Sequence, residues 1–564
     1  MRKYITIAIA LSVIGALTFC SCSKFLDVKP QGNYLEETFF ETDGQAIDAI
    51  SSCYNELPQE SLYGREIYWE QGCVNDFVWG RTRSFNSLAT LTYNGDESCL
   101  RDVFGQVYQK GLNRCNWIIQ RLLCKQEGKE LSAIETRTLG EAYFLRAFYH
   151  YTIAYRYGTK DLGVPFVAYE TVEGGYNNEI PEQQESVMKN YELIVSDLQK
   201  AESLLPVFEE YGADDRGRAH KAAAAALMSK VYAYWAGWDP SKWPEVITCV
   251  NRLEQSYGRD LHPSYSELFS CDFAKFWTKE YCWGLPSYGG KWHAGDGSME
   301  FPGVCLENNG WSSELPAGMG YNGWGQFKPS LDLYEEMAKD NVEEGVKNER
   351  LAKSILEYGD PFTYFGQPFR FHSSSDVEAG FQIGKYMEAF EAEDCVGTTA
   401  LDNEDWPCTR INWPIIRFAD CLLLRAEAYL MAGDGASAAR DINRIRERSH
   451  LKPIGASATW TDLYHERRCE LALEPANDHA YDCKRWAVFG NPEIKELALN
   501  ELNNHPRVRH YKNRNDPDSP YTVGPYLDYQ SPVKVWKEQC LTFPYPSEQI
   551  AKSAGKLKNP PSWN

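Results

Sequence analysis

A mostly α fold, built from stacked helix pairs and interrupted by long aromatic loops, is predicted by three observations. Apolar residues recur at helical spacing over most of the chain, most clearly over 134–157. Short turns such as Gly433-Asp434-Gly435 join these stretches into hairpins. One stretch, about 260–326, abandons the period and is rich in Gly, Trp and Tyr. The chain has 564 residues, a formal net charge of −21, and 17 Trp, 35 Tyr and 25 Phe. That length fits several domains, or one large fold with insertions. The composition excludes collagen-like, low-complexity and wholly disordered classes. The acidity argues against a general nucleic-acid binder, which needs Lys and Arg for phosphates. Surplus Trp and Tyr fill cores, but on a surface they also bind flat apolar faces such as sugar rings.

Residues 1–21 read as an export signal. Arg2 and Lys3 form a positive start, and 5–19 is an apolar run too short for a membrane span. The run ends in Phe19-Cys20-Ser21-Cys22-Ser23, similar to a bacterial lipobox. Cys22 is the expected lipidation site, because small Ser21 precedes it whereas bulky Phe19 precedes Cys20. An ordinary signal peptide cleaved nearby is the alternative. The remaining Cys are scattered singly, with no CxxC pair and no His/Cys cluster at zinc spacing along the chain. Cys115, Cys421 and Cys469 fall on apolar helix faces, so most are expected to be buried thiols. One or two disulfides stay open in an oxidising compartment.

The elements follow in order. Helices are expected at 46–57 and 104–124. The helix at 134–157 carries Leu139, Ala142, Tyr143, Ala147, Tyr151 and Ala154 on one stripe, and Gly158 stops it. Leu139-Gly140-Glu141-Ala142-Tyr143 fits the L-G-x₂-Y part of the tetratricopeptide pattern, although Thr136 stands where Trp is expected. The stretch 186–205 is its expected neighbour. The helix at 218–237 has a small-residue run over 222–226, and 243–253 partners it. Then comes the irregular stretch, which holds Trp277, Trp283, Tyr288, Trp292, Trp311 and Trp324 among many glycines. Loops of such length are usually functional. Helices resume at 330–338, a second irregular aromatic stretch covers 358–371, and 416–432 with 436–449 forms a hairpin. Thr459-Trp460-Thr461-Asp462 resembles a capping box and opens a helix through 473. The tail after 503 reads as loop-rich and polar.

No HExxH, GxSxG or GxxxxGK[ST] motif occurs. Carboxylates are too many for any pair to single out a glycosidase site. Glu466-Arg467-Arg468 and Asp482-Lys484-Arg485 read as ion pairing between helices. Arg146, Arg425 and Glu427 sit within helical stripes, where charges must be paired.

Several blocks, in order and nearly end to end, carry a family resemblance. They are Ser23-Lys24-Phe25-Leu26-Asp27, Gly140-Glu141-Ala142-Tyr143-Phe144-Leu145-Arg146-Ala147, Gly163-Val164-Pro165 and Gly217-Arg218-Ala219. The C-terminal half adds Arg417-Phe418-Ala419-Asp420, Leu424-Arg425-Ala426-Glu427, Asn443-Arg444-Ile445-Arg446, the 466–472 and 482–486 clusters and Phe543-Pro544-Tyr545-Pro546. The chain resembles the SusD/RagB nutrient-uptake lipoproteins of Gram-negative bacteria. The Trp-rich loops match no fixed family pattern, and Lys558-Asn559-Pro560 only loosely echoes the usual ending.

The resemblance implies tetratricopeptide-like helix pairs forming an α-α superhelical scaffold, with long irregular loops carrying the binding face. It divides the chain into 1–21, 22–255 and 256–564. It implies a lipid-anchored outer-membrane protein facing outward, partnered by a SusC-like TonB-dependent transporter. Its ligand is then an oligosaccharide, with a peptide or glycopeptide as the alternative and glycoside hydrolysis further behind. No catalytic residue, resident metal or cofactor is expected beyond the covalent lipid. A structural Ca²⁺ in the acidic loops stays open, without EF-hand spacing. Sugar binding needs a ring face for stacking and polar side chains for the hydroxyls. The candidate ligand residues are therefore Asn75, Asp76, Trp79 and Arg81 in one stretch, and Trp283, Tyr288, Trp292, Trp311 and Trp324 in the other.

Overall fold

A computed structural model describes residues 40–59, 61–64, 66–79, 83–168, 181–270, 272, 275, 277–286, 291–292, 327–364, 367–368, 380–386, 406–407, 411–474, 479–513, 518–526 and 534–563. The signal segment and Cys22 lie outside these residues.

Helix α1 (Asp43–Tyr54) opens on a capping box between Thr42 and Gln45. Short α2 (Glu66–Trp69), strand β1 (Phe77–Trp79) and α3 (Arg83–Thr90) follow. The helix expected over 104–124 is in fact three pieces: α4 (Ser98–Gly105), a π-helical turn over Gln106–Gly111 and α5 (Leu112–Gly128). The turn seats Gly111 against the Tyr149 ring, where an added Cβ would lie only 2.8 Å from ring carbons.

Helix α6 (Ala133–Tyr157) is central, and nearly all its residues are buried. It packs on α5, on α1 and on α7 (Val187–Leu204). Gly140 lets α6 approach α7 closely, since a Cβ there would stand 3.0 Å from Leu204 and 3.1 Å from Leu205. Helix α8 (Lys221–Trp238) starts later than 218, because His220 caps it. Arg218 lies before it and pairs with Glu141 at 3.2 Å and Asp215 at 2.7 Å. The buried alanines 222–226 pack α8 against α7 and against α9 (Trp243–Gln255).

The second half repeats the theme. Helices α10 (Leu331–Ala338) and α11 (Glu349–Ser354) precede α12 (Phe418–Met431) and α13 (Gly435–Arg448), the expected hairpin. Helix α14 (Trp460–Glu470) has the predicted Thr459/Asp462 capping box but ends before 473, where Leu473 takes a left-handed backbone at φ 62°. Helices α15 (His479–Phe489) and α16 (Pro492–Asn503) pack on each other. Among the described residues, six two-stranded antiparallel ladders decorate this frame. The tail departs from its loop-like reading. Arg507–Tyr511 and Tyr521–Pro525 form a hairpin, and Phe543 and Tyr545 are buried. These rings are swallowed by Tyr93, Phe104, Tyr157 and Tyr481, all distant in sequence.

Among the described residues a large hydrophobic core runs from Phe40 to Leu557, and a small one joins Ala233, Trp243, Val246 and Leu424. Among the described residues eleven thiols are free, ten of them buried, with Cys124 exposed. No described helix is long and apolar enough to cross a membrane.

Candidate functional site

Two short ladders tie the aromatic stretch to the frame, and a third pairs it with a second aromatic piece. Strand β2 (Tyr281–Leu285) pairs with β10 (Trp413–Arg417), with Leu285 opposite Trp413 and Trp283 opposite Ile416. Gly284 is required there, because a Cβ would collide at 2.1 Å with the Trp413 carbonyl and the Tyr281 hydroxyl. Strand β3 (Lys291–Trp292) pairs with β9 (Trp406–Pro407), in register Trp292 to Trp406. Strand β4 (Phe327–Pro329) pairs with β1, in register Trp79 to Phe327. Leu285 is thus held in the core on one side of the stretch, and Phe327 pairs with Trp79 on the other. The end of the second aromatic stretch thereby meets Trp79 of the first at the β1–β4 ladder. Trp406 was not singled out; its Trp-Pro pair, repeated at Trp413-Pro414, was the available signal.

Three candidates require correction. Trp283 is 2 % exposed, with edge-on contacts to Phe144 and Phe148 at 4.8 Å each. It is a core ring joining β2 to α6, with no face open for stacking. Asn75 and Asp76 are also buried. The Asn75 backbone N–H donates to Glu501 at 2.9 Å, and Ser330 donates through its backbone N–H to the Asp76 carbonyl at 2.9 Å. Arg468 Nε donates to Asp76 Oδ1 at 2.7 Å. Burial pushes the Asp76 carboxyl up, and the Arg468 and His479 charges oppose it. Both residues anchor β1 from within. Arg81, Tyr288, Trp311 and Trp324 lie outside the described residues, as do the side chains of Trp79 and Trp292.

The frame beneath this region is held by buried charge. Arg417 binds Glu474 at 2.8 and 2.7 Å, Glu470 at 3.0 Å and also Glu280. Arg448 binds Glu280 at 2.8 Å and also Glu470. Arg350 and Arg446 reach Glu466 at 2.6 and 2.8 Å. Against burial, the guanidiniums of Arg448, Arg417 and Arg350 pull Glu470 down to about 2. Lys385 donates to Glu474 at 3.0 Å, and burial lowers its ammonium to about 8 against that carboxylate. The expected pairings hold elsewhere too. Arg467 meets Asp482 at 2.8 Å, and Arg485 grips Glu427 with two bonds of 2.7 and 2.6 Å. Arg425 grips Asp441 with bonds of 2.8 and 2.7 Å. Lys484 instead sits over the Phe543 ring at 4.3 Å. Carboxylates committed to guanidiniums in this way act as structural counter-charges.

The model of the SusD family matches residues 297–563, and a second, "Starch-binding associating with outer membrane", matches 24–233. The chain belongs to the SusD family. It is similar to a SusD-like protein of Bacteroides ovatus, at 24% identity over 534 residues, covering 89% of this chain and 86% of that protein. SusD-like protein P2 of Formosa agariphila is 25% identical over 520 residues, covering 88% and 91%. Among solved structures, a SusD-like protein from Bacteroides fragilis superposes with a TM-score of 0.69 at 19% identity, covering 92% of this chain and 97% of that one. Surface glycan-binding protein A from Bacteroides uniformis gives 0.67 at 17% identity, covering 93% and 100%. A laminarin-binding SusD-like protein gives 0.63 at 19% identity, covering 92% and 99%. These likenesses establish the SusD fold of tetratricopeptide-like helix pairs for this chain.

Proposed function

We propose that this SusD-family chain is a lipid-anchored, outward-facing outer-membrane protein that captures an oligosaccharide and passes it, uncleaved, to a SusC-like TonB-dependent transporter. The observation that carries the reading is the β1–β4 ladder, which sets Trp79 in register with Phe327 at the close of the Trp-rich segment. Phe327, at the close of the Trp-rich segment, thereby pairs with Trp79 of the earlier aromatic stretch, and in this reading the rings on either side gather there. Stacking on pyranose faces needs such a cluster and needs no activated nucleophile. The similar structures named as glycan-binding and laminarin-binding support the same ligand class. The lipid on Cys22 holds a strongly acidic protein to a surface that would otherwise repel it.

The binding residues in this reading are Trp79, Arg81, Tyr288, Trp292, Trp311 and Trp324. Glycan-array screening followed by calorimetry on the mature chain should find an oligosaccharide bound with micromolar-range affinity (about −8 kcal/mol) and recovered intact. Trp79→Ala or Trp324→Ala should weaken it tenfold or more with an unchanged circular dichroism spectrum. Binding to peptides alone would replace the ligand class, and sugar release would replace binding by hydrolysis.

A further inference from the structure

Directly beneath β1, four side chains converge that the glycan reading leaves unused. His479 and Cys483 stand four residues apart on one face of α15. Glu501 comes from the last turns of α16, and Asp76 from the residue preceding β1. All four are at most 2 % exposed. His479 Nε2 lies 2.8 Å from Glu501 Oε1, 3.6 Å from Cys483 Sγ and 3.9 Å from Asp76 Oδ2. Cys483 Sγ is 3.9 Å from Glu501 Oε1. Asp76 Oδ2 accepts no hydrogen bond although it is buried. A buried carboxylate oxygen left in this state is costly and calls for an explanation.

We propose that His479 Nε2, Cys483 Sγ, Glu501 Oε1 and Asp76 Oδ2 bind one divalent d-block cation in a tetrahedral site, zinc being the best match. One imidazole, one thiolate and two carboxylates are all zinc ligands. Zinc bonds of about 2.0–2.3 Å give tetrahedral edges of about 3.3–3.6 Å between donors. His479, Cys483 and Glu501 already stand close to those separations; the histidine–glutamate edge must open by about half an ångström, and the Asp76 carboxylate, 3.9 Å from His479 Nε2, must move in to complete the set. The outer hydrogen bonds are in place. Asp76 Oδ1 is held by Arg468 at 2.7 Å, Glu501 Oε2 by the Asn75 N–H at 2.9 Å, and Glu501 Oε1 by the Tyr464 hydroxyl. The exchange also balances in charge. The cation displaces one proton from the imidazolium and one from the thiol, two positive charges for two. Chain spacing could not reveal such a site, because its ligands come from three separate segments.

A second cluster, Asp340, His465 and Cys469, is the natural control. There Asp340 Oδ2, the oxygen facing His465, already holds Arg350 at 2.8 Å, and a cation would have to displace it.

The test uses the full mature chain, stripped with a chelator and titrated with Co²⁺ and Zn²⁺. Expected are one equivalent bound, a near-ultraviolet thiolate-to-cobalt band and a rise in thermal midpoint with Zn²⁺. Cys483→Ser should abolish the band, while Cys469→Ser should leave it. X-ray absorption of the zinc-loaded wild type needs no variant and should show one sulphur and three lighter neighbours. No binding, a band that survives Cys483→Ser in a folded protein, or a sulphur count other than one would overturn the assignment.

Discussion

The two halves of the helical frame handle buried charge differently. In the first half the most deeply buried arginines keep one carboxylate each, and the shared Arg137, Arg218, Glu141 and Asp215 set lies nearer the surface. Arg146 binds Asp197 with two bonds of 2.7 Å, and its remaining arm meets Asn116 at 2.9 Å. Arg156 binds Glu70 at 2.7 Å. In the second half four arginines share five carboxylates across β10, β2 and α11, α13 and α14. A local pair can be replaced as a unit. A shared network cannot, because each carboxylate neutralises more than one cation: Glu474 holds Arg417 and Lys385, and the other four each hold at least two guanidiniums. The network also lies where β2 launches the aromatic segment, so its rigidity is handed to the proposed binding face.

The sharpest break of that contrast is Glu470→Ala. It strips a shared counter-charge from Arg417, Arg448 and Arg350 in a fully buried site. The loss should reach the top of the range for breaking buried pairs, about 5 kcal/mol. Urea denaturation would measure it. A loss below about 1 kcal/mol would mean that the network is not cooperative.

Arg146→Ala should cost less, about 3 kcal/mol, because Lys200 already stands 3.7 Å from the stranded Asp197. The double replacement Arg146→Met with Asp197→Leu should recover most of that loss, since an apolar pair of similar volume needs no desolvation. A double variant as unstable as the single would show that the first half is as interlocked as the second.

These contrasts also show what was legible in the sequence. The 133–157 helix was readable because its stripe continues for seven turns, and the need to pair Arg146, Arg425 and Glu427 followed from their place in that kind of stripe. The partners were less readable, since Asp197 and Arg485 lie 51 and 58 residues away. Trp283 was misread for the same reason. A tryptophan beside a glycine has one local signature whether it meets a ligand or, as here, Phe144 and Phe148. The tail hid its structure in short pieces: a five-residue strand pair and two isolated aromatic residues show no period to detect.

The smallest expected effect sharpens the contrast through two histidines. In the first half His220 is buried and caps α8, its Nδ1 accepting the Ala223 N–H at 3.4 Å, which requires a neutral ring. Burial, with the Arg259 charge, lowers it to about 3. In the second half His465 lies between Glu336 at 2.6 Å and Asp340 at 3.0 Å. Against burial, the neighbouring Cys469 and these carboxylates push it up to about 12. The signs are therefore opposite. A histidine released by unfolding titrates near 6.5. Below that value the unfolded chain takes up a proton that folded His220 refuses, so stability falls as pH drops from 6.5 toward 3, at about 1.4 kcal/mol per unit. By pH 5 the loss from His220 is about 2 kcal/mol. The contribution of His465 is fully present below 6.5 and is lost only as pH rises toward 12, so it leaves the acid window flat. His150, also buried and lowered by burial and by Arg146, adds its own proton to the acid slope. His220→Asn keeps a capping side chain and removes one titration. Its stability, followed by denaturation from pH 7 to 5, should decline about 1.4 kcal/mol per unit less steeply than the wild type. An unchanged slope would move the acid sensitivity away from the α8 cap.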